Sequence, residues 1–328
     1  MPMITVIIVN FNGGDYPQKA LDSLKAQTCQ DFEVIFIDNA STDGSAETID
    51  GEGLPAFRIL RNRSNLGFAA ANNLGASLAQ GDWLALLNPD AIAAPDWLER
   101  LLDATRRRTE IVHFASAQFE MHRPDILDGV GDNYLVFGIP WRGGYGRKAT
   151  DLPQEGYCFS PCGAGAFYRR DVFMQLDGFD ERFFCYCEDV DLGYRMQLLG
   201  HDCMFLPDAV IHHAGGGLSG KVSGFATYHG TRNRLWTYLK NTPGWLLIVT
   251  LPVHLALTAM IILRRIRRGD VSDALRGFRD GVAKIPDILQ EDKWRAPKRR
   301  INLLRLARRM AWNPLRMLGR KSHVRSTS

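Results

Sequence analysis

The sequence predicts an α/β fold, a doubly wound sheet with a binding crevice at its strand ends, on three observations. Near-continuous apolar runs recur through the first hundred residues, segments of helical period separate them, and several of the runs end on Asn or Asp. "ITVIIVN" (4–10) reads as a parallel strand buried on both faces. "YPQKALDSLKAQ" puts Ala20, Leu21 and Leu24 on one helical stripe, and "FEVIFIDN" is a second strand. "STDGSAETI" (41–49) carries helix-capping residues and is expected to open a helix; "FRILRN" is a third strand, "AAANNLGASLAQ" a further helix and "DWLALLN" the fourth strand. In such sheets ligands bind beyond the carboxyl ends of the strands, where Asn10, Asn12, Asp38, Asn39, Asn88 and Asp90 gather.

Residues 111–160, with "DGVGDNYLVFGIPWRGGYG", look less regular and more like a substrate loop than a core. "GAGAFYRRDVFMQLDGFDERFF" then reads as strand, helix and Gly turn. "EDVDLGYRMQLLG" is a helix ending at Gly200, and "HDCMFLPDAVIHHAGG" a strand pair leading into a Gly-rich loop. After Tyr228 the character changes, and the expected division is 1–240 and 241–328. "WLLIVTLPVHLALTAMIIL" (245–263) is uncharged, broken by Pro252 and His254 and followed by "RRIRR". Its length leaves three readings open: a membrane span, a shallow insertion and a buried helix. "APKRRINLLRLARRMAWNPLRMLGR" interleaves apolar residues and arginines as one basic amphipathic helix suited to an anionic membrane surface.

The 328 residues are 45% apolar, enough for a large core, and the net charge of +4 conceals an asymmetry. From Arg264 onward 19 Lys and Arg face 6 Asp and Glu, a net of +13, which leaves −9 for residues 1–263. No nucleic-acid-binding motif accompanies the basic tail, so a membrane surface is the expected partner and nucleic acid is not. Six cysteines show neither metal nor disulfide spacing, and the first apolar run is too short for a signal peptide, so a cytosolic setting with reduced thiols is expected.

"VNFNGGDYPQ" lacks the GxGxxG of a dinucleotide site, which argues against hydride transfer. Asn and Asp at strand ends suit the edge of a nucleobase and the hydroxyls of a ribose, with Asp38 well placed for either. Asp90, just after the proline that halts the fourth strand, is a hard oxygen ligand for Mg²⁺ or Mn²⁺ holding a diphosphate, so Asn88 and Asp90 read as a weakened Asp-x-Asp.

At residues 3–240 the order and spacing of "VIIVNFN", "DNASTDGS", "NLGFAAANNLG", "LLNPDA", "CGAGAFYRRDVF", "GFDERFFCYCEDVDLGYR" and "HHAGG" resemble family 2 glycosyltransferases of the GT-A fold, especially bacterial rhamnosyltransferase-like members. The resemblance implies nucleotide-sugar binding by Asn10, Asn12, Asp38, Asn65, Asn73 and Gly163, and a divalent metal, Mg²⁺ or Mn²⁺, on Asp90 and His213, with His212 the less favoured neighbour. It implies Asp189 as the base that deprotonates the acceptor hydroxyl, Glu188 orienting it and Asp191 as second candidate. The glycines after His213 would approach phosphate through backbone N–H groups, and Arg232 or Arg234 would neutralise it. The implied reaction is an inverting transfer of one sugar from a dTDP- or UDP-sugar donor, with dTDP-rhamnose the donor the likeness suggests, to a polyprenyl-diphosphate-linked or polysaccharide acceptor at the cytoplasmic face of the plasma membrane. Two rivals are a non-catalytic scaffold of the same fold and a sugar nucleotidyltransferase. Two departures stand out: Asn88 occupies the first acidic position of the metal motif, and the QxxRW segment of processive synthases is absent.

Overall fold

The computed structural model describes residues 3–215, 224–290, 297 and 299–327. The first half contains β1 (Ile4–Asn10), α1 (Tyr16–Lys25), β2 (Phe32–Asp38), β3 (Phe57–Arg61), α2 (Gly67–Leu78), β4 (Trp83–Leu87), β5 (Ala91–Ala93), α3 (Trp97–Arg107), β6 (His113–Glu120), β7 (Arg123–Gly129), β8 (Asp132–Leu135) and β9 (Ile139–Arg142). The second contains β10 (Gly156–Cys158), β11 (Gly165–Arg169), α4 (Arg170–Gln175), α5 (Glu188–Leu199), β12 (Cys203–His213), α6 (Phe225–Asn241), α7 (Gly244–Ile266), α8 (Val271–Ala283), α9 (Ile285–Gln290), α10 (Leu303–Arg309) and α11 (Pro314–Leu318).

Ten strands form one mixed sheet along the path β10-β12-β6-β11-β4-β1-β2-β3, with β5 on β12 and β7 on β6. β1, β2, β3 and β4 are parallel, and Asn10 is the register partner of Asp38, so their side chains arrive together at the carboxyl ends. β11 runs antiparallel to β4 and carries the sheet on to β6 and β12. All seven residues of β1 and of β2 are buried, as their apolar runs require.

Four expectations are corrected. Residues 41–49 form turns rather than a helix. The polar side chains that would cap a helix instead take backbone N–H groups themselves: Asp43 accepts from Gly14 and Ser45, and Asn12 from Thr42. Residues 113–120 are a central strand, β6, whose buried polar groups disguise it; Ser116 there accepts the Trp97 indole N–H at 2.9 Å. Residues 203–213 are one strand, β12, with a register shift between Leu206 and Val210 rather than a strand pair. The basic amphipathic helix is two short helices, α10 and α11, interrupted ahead of Pro314. Leu306, Met310, Ala311 and Met317 are buried against the body, where Ala311 bridges β8.

α7 rests on the body along a single stripe. Its buried residues, Leu246, Thr250, His254, Thr258 and Ile262, recur every four positions. Tyr238 Oη lies 2.7 Å from Thr250 Oγ1, and His254 stacks on the Tyr238 ring while its Nδ1 meets the Phe137 carbonyl at 2.9 Å. The outer face is apolar and open, with Ile248 74% and Val249 65% exposed. α7 is long and apolar enough to cross a membrane. All six cysteines are free thiols.

Candidate active site

The turn Asn88-Pro89-Asp90 leaves β4 and leads straight into β5, which pairs with the end of β12 and so brings His213 beside Asp90. His213 Nε2 is 3.1 Å from Asp90 Oδ1, and Nδ1 is 2.8 Å from Asp128 Oδ2, which also accepts from Arg142. Burial opposes a charge on the ring, but hydrogen bonds to Asp128 and Asp90 prevail and push the His213 pKa up to about 9. The Asn88 amide nitrogen is 3.2 Å from Nε2, while its Oδ1 is buried and unpartnered among the described residues. A carboxylate, an imidazole oriented by a second carboxylate, and an orphaned amide oxygen make a donor set that fits a divalent cation, which would have to displace the Nε2 proton that the raised pKa keeps on the ring. His212, by contrast, packs on Phe119. Gly216 and Gly217, expected to approach phosphate, lie outside the described residues.

Asp189 sits in the first turn of α5, where it accepts the Gly163 N–H at 2.8 Å through Oδ2 and the Val190 N–H at 2.8 Å through Oδ1. Ligand-type atoms of Asp132, Cys162 and Asp189 lie within 4.8 Å of one another. Burial pushes the Cys162 thiol up to about 12, so it stays protonated. Burial also raises both carboxyls, and the Asp189 charge raises Asp132 further. Asp189 has the backbone donors and the helix N-terminus, which oppose that rise, whereas only the Arg142 charge opposes it at Asp132. Glu188 is buried beside them, its Oε2 without a partner among the described residues, and burial followed by the Asp189 charge raises its pKa well above the usual range.

At the other strand ends, Asn10 donates to Ser41 Oγ and Ser45 Oγ and keeps a buried, unpartnered Oδ1. Asp38 accepts from the Ser41 N–H, tying the same loop to β2. Asn12 accepts from Thr42, and Asn65 Oδ1 accepts from Asn39 and Gly67, so both brace loops at the rim of the crevice.

Four residues expected at the site have other partners in the structure. Asn73 spends its amide on the N–H and C=O of Phe179 and on Glu181, holding the 178–181 loop rather than lining a nucleotide pocket. Gly163 donates its N–H to Asp189. Asp191 is fully buried in a network with Arg195, Lys240 and Asn241 at 2.7 to 2.9 Å, so it joins α5 to α6 and has no path to an acceptor. Arg232 donates to the Arg182 and Phe183 carbonyls and lies over the Trp236 ring, which ties it to the segment ahead of α5.

Sequence reasoning missed Asp128, Asp132, Arg142 and Asn233. The four-residue spacing of the acids in the Gly-rich "DGVGD" was the available signal. Arg142 pairs with Asp128 at 2.8 Å, and Asp132 and Asp189 act on the same guanidinium, so one fixed charge serves both halves of the site. Asn233 donates to the carbonyls of Phe183, Cys185 and Tyr186 at 2.7 to 2.9 Å.

The family model described as glycosyl transferase family 2 matches residues 5–177. The N-acetylglucosaminyl-diphospho-decaprenol L-rhamnosyltransferase of Mycobacterium tuberculosis is 30% identical over 241 residues, covering 64% of this chain and 76% of the relative. Among solved structures, GalNAc-T7 with UDP, GalNAc and Mn²⁺ superposes with a TM-score of 0.56 at 16% identity over 73% of this chain, which spans about half that enzyme's length, 48%. A mannosyltransferase from Pyrobaculum calidifontis in complex with GDP-Man and Mn²⁺ gives 0.53 at 16% identity over 86% of both chains. Fold and comparisons define a glycosyltransferase of the GT-A type. The chain belongs to glycosyl transferase family 2, and it is similar to an N-acetylglucosaminyl-diphospho-decaprenol L-rhamnosyltransferase.

Proposed function

We propose that this enzyme transfers a single rhamnosyl residue from a dTDP carrier, with inversion, to a polyprenyl-diphosphate-linked glycan at the cytoplasmic face of the membrane. The observation that carries the reading is one short segment tying the two halves of the site together. Gly163 donates its N–H to Asp189, and the neighbouring Ala164 carbonyl accepts the Asn88 N–H, at the start of the Asn88-Pro89-Asp90 turn.

In this reading Asp189, kept ionised by its backbone donors, removes the proton of the acceptor hydroxyl as that oxygen attacks the anomeric carbon opposite the diphosphate. Asp132 holds its own proton and so does not compete for the incoming one. Asp90, His213 and the Asn88 amide oxygen would hold a divalent cation, Mn²⁺ or Mg²⁺, which supplies positive charge for the departing diphosphate. Asn10 and Asp38 receive the base and ribose of the donor. The acceptor class is supported by the mycobacterial relative, whose name states a diphospho-decaprenol substrate, and by the open apolar face of α7. α7 is docked on the catalytic body along its whole length, so it lies in the membrane surface with its outer face among the lipid chains rather than across the bilayer.

The test is thermal stabilisation by dTDP-, UDP- and GDP-sugars with and without Mn²⁺, followed by transfer assays on Asp189→Asn. The expected result is a metal-dependent shift with dTDP-rhamnose, and a variant that keeps this shift while transfer falls on the order of 10³-fold. A folded protein that none of these donors stabilises overturns the reading in favour of a non-catalytic scaffold.

A further inference from the structure

A cavity of about 190 Å³ lies between α6 and α7, lined by Cys187, Thr227, Thr231, Arg234, Ile261 and Arg265 among others. It is smaller than the ~300 Å³ at which drug-sized pockets begin, so it suits a phosphate-bearing group better than a whole nucleotide. Arg234 is only 8% exposed, yet its Nε and Nη2 have no hydrogen-bond partner among the described residues. Burial lowers its pKa to about 10, which still leaves it charged at neutral pH. The groups that act on it are Cys187, Tyr134 and a second cation, Arg265. Arg265 is itself paired with Asp270 at 3.2 Å, and Thr227 also donates to that carboxylate, so Arg234 is left as the cavity's unneutralised charge. An unpaired buried guanidinium is destabilising, a penalty that an anionic ligand would remove.

The position of the cavity says which anion. One wall, Cys187, immediately precedes Glu188 and Asp189; the opposite wall, Ile261 and Arg265, belongs to α7, whose outer face is apolar and exposed. None of Asn88, Asp90, Asp128 and His213 lines it, so it is separate from the side assigned to the donor diphosphate.

We propose that this cavity binds the diphosphate of a lipid-linked acceptor through Arg234, with the prenyl chain running out along α7 and the acceptor sugar directed toward Asp189. The inference rests on the reading of the protein as a transferase to such acceptors.

Binding of farnesyl diphosphate to the full-length protein in detergent tests it, with EDTA present so that no metal draws the probe to the donor side. The wild type is expected to bind, inorganic diphosphate to compete, Arg234→Gln to weaken binding at least tenfold and Arg234→Lys to weaken it less. Stabilisation by dTDP and Mn²⁺ is expected to be the same in all three. If Arg234→Gln does not fold, Ile261→Trp, which fills the cavity and leaves the charge, is expected to weaken the probe similarly. Unchanged binding in the folded variant overturns the proposal, as does farnesol binding as tightly as farnesyl diphosphate. So does Arg234-dependent binding of phosphatidylglycerol vesicles without binding of farnesyl diphosphate, which would assign the cavity to a membrane headgroup. Transfer to a lipid-linked acceptor with an unchanged KM in Arg234→Gln would sink the subsite and leave the proposed function standing. Arg234-dependent probe binding, with no transfer to any diphosphate-linked acceptor, would support the cavity and sink the function.

Discussion

Glu188, Asp189 and Asp191 occupy one turn of α5 and have three different environments. Asp189 accepts two backbone N–H groups, Asp191 is locked among Arg195, Lys240 and Asn241, and Glu188 is buried with an oxygen unpartnered among the described residues. The motif in the sequence was enough to nominate the trio; separating them required knowing that Lys240 and Asn241 arrive on α6, some 50 residues later. Opposite stability effects follow. A carboxyl whose folded pKa is raised makes its stabilising contribution at low pH and loses it as pH rises through that value. Glu188→Gln is therefore expected to raise the melting temperature by about 2 °C or more at pH 8, and by less at pH 5. An equal or greater gain at pH 5 would contradict the burial argument. Asp191→Asn strips a buried ion network of its carboxylate and is expected to cost about 3–5 kcal/mol, read by denaturant unfolding at pH 7.

The segment that delivers Glu188 and Asp189 is strained as an element. Phe184, Tyr186 and Cys187 all have positive φ, at 65°, 72° and 67°, conformations that cost non-glycine residues of order 1–3 kcal/mol each. Asn233 and Arg232 of α6 hold the carbonyls of this segment, and Gly67 at the start of α2 makes room for it. A Cβ on Gly67 would lie 2.6 Å from the Phe184 carbonyl oxygen. Asn233→Ala is expected to lower kcat at least tenfold, with donor-induced stabilisation retained, because the clamp positions the base and touches no donor. A fall in donor affinity with kcat unchanged would contradict that role. α7 is governed by its two faces in the same way. Ile248→Lys with Val249→Lys is expected to release the protein from anionic vesicles in a sedimentation assay while the melting temperature holds within about 1 °C, since both side chains are exposed. The sequence supplied the length and polarity of α7. Its every-fourth-residue docking stripe could be recognised only against Tyr238 and Phe137.

At the scale of the whole molecule, the last thirty residues close the structure. Arg309 reaches Gln197, the carbonyls of Gly200 and His201, and Asp202; Ile301, Leu306 and Met310 complete an apolar cluster with Tyr134, Phe159, Tyr194 and Leu198; and Arg325 exchanges backbone hydrogen bonds with Tyr157. A chain ended at residue 297 exposes that cluster and is expected to aggregate or melt well below the full chain in a thermal scan. An unchanged melting temperature would show the segment to be dispensable. The sequence by itself determined the parallel strands of the first half, the Asn and Asp residues at their ends and the acidic start of α5. Strand burial and side-chain period are local properties, written in runs of 5–12 residues. It misjudged the polar turns at 41–49 and the central strand β6, because hydrogen-bonding side chains imitate caps in the first and loops in the second. Only the tertiary structure decided which carboxylates meet. Asp128 reaches His213 across 85 residues, Asp132 reaches Asp189 and Arg142 stands between the pairs, and charge and proton position in a buried site depend on those long-range neighbours rather than on the residue's own segment.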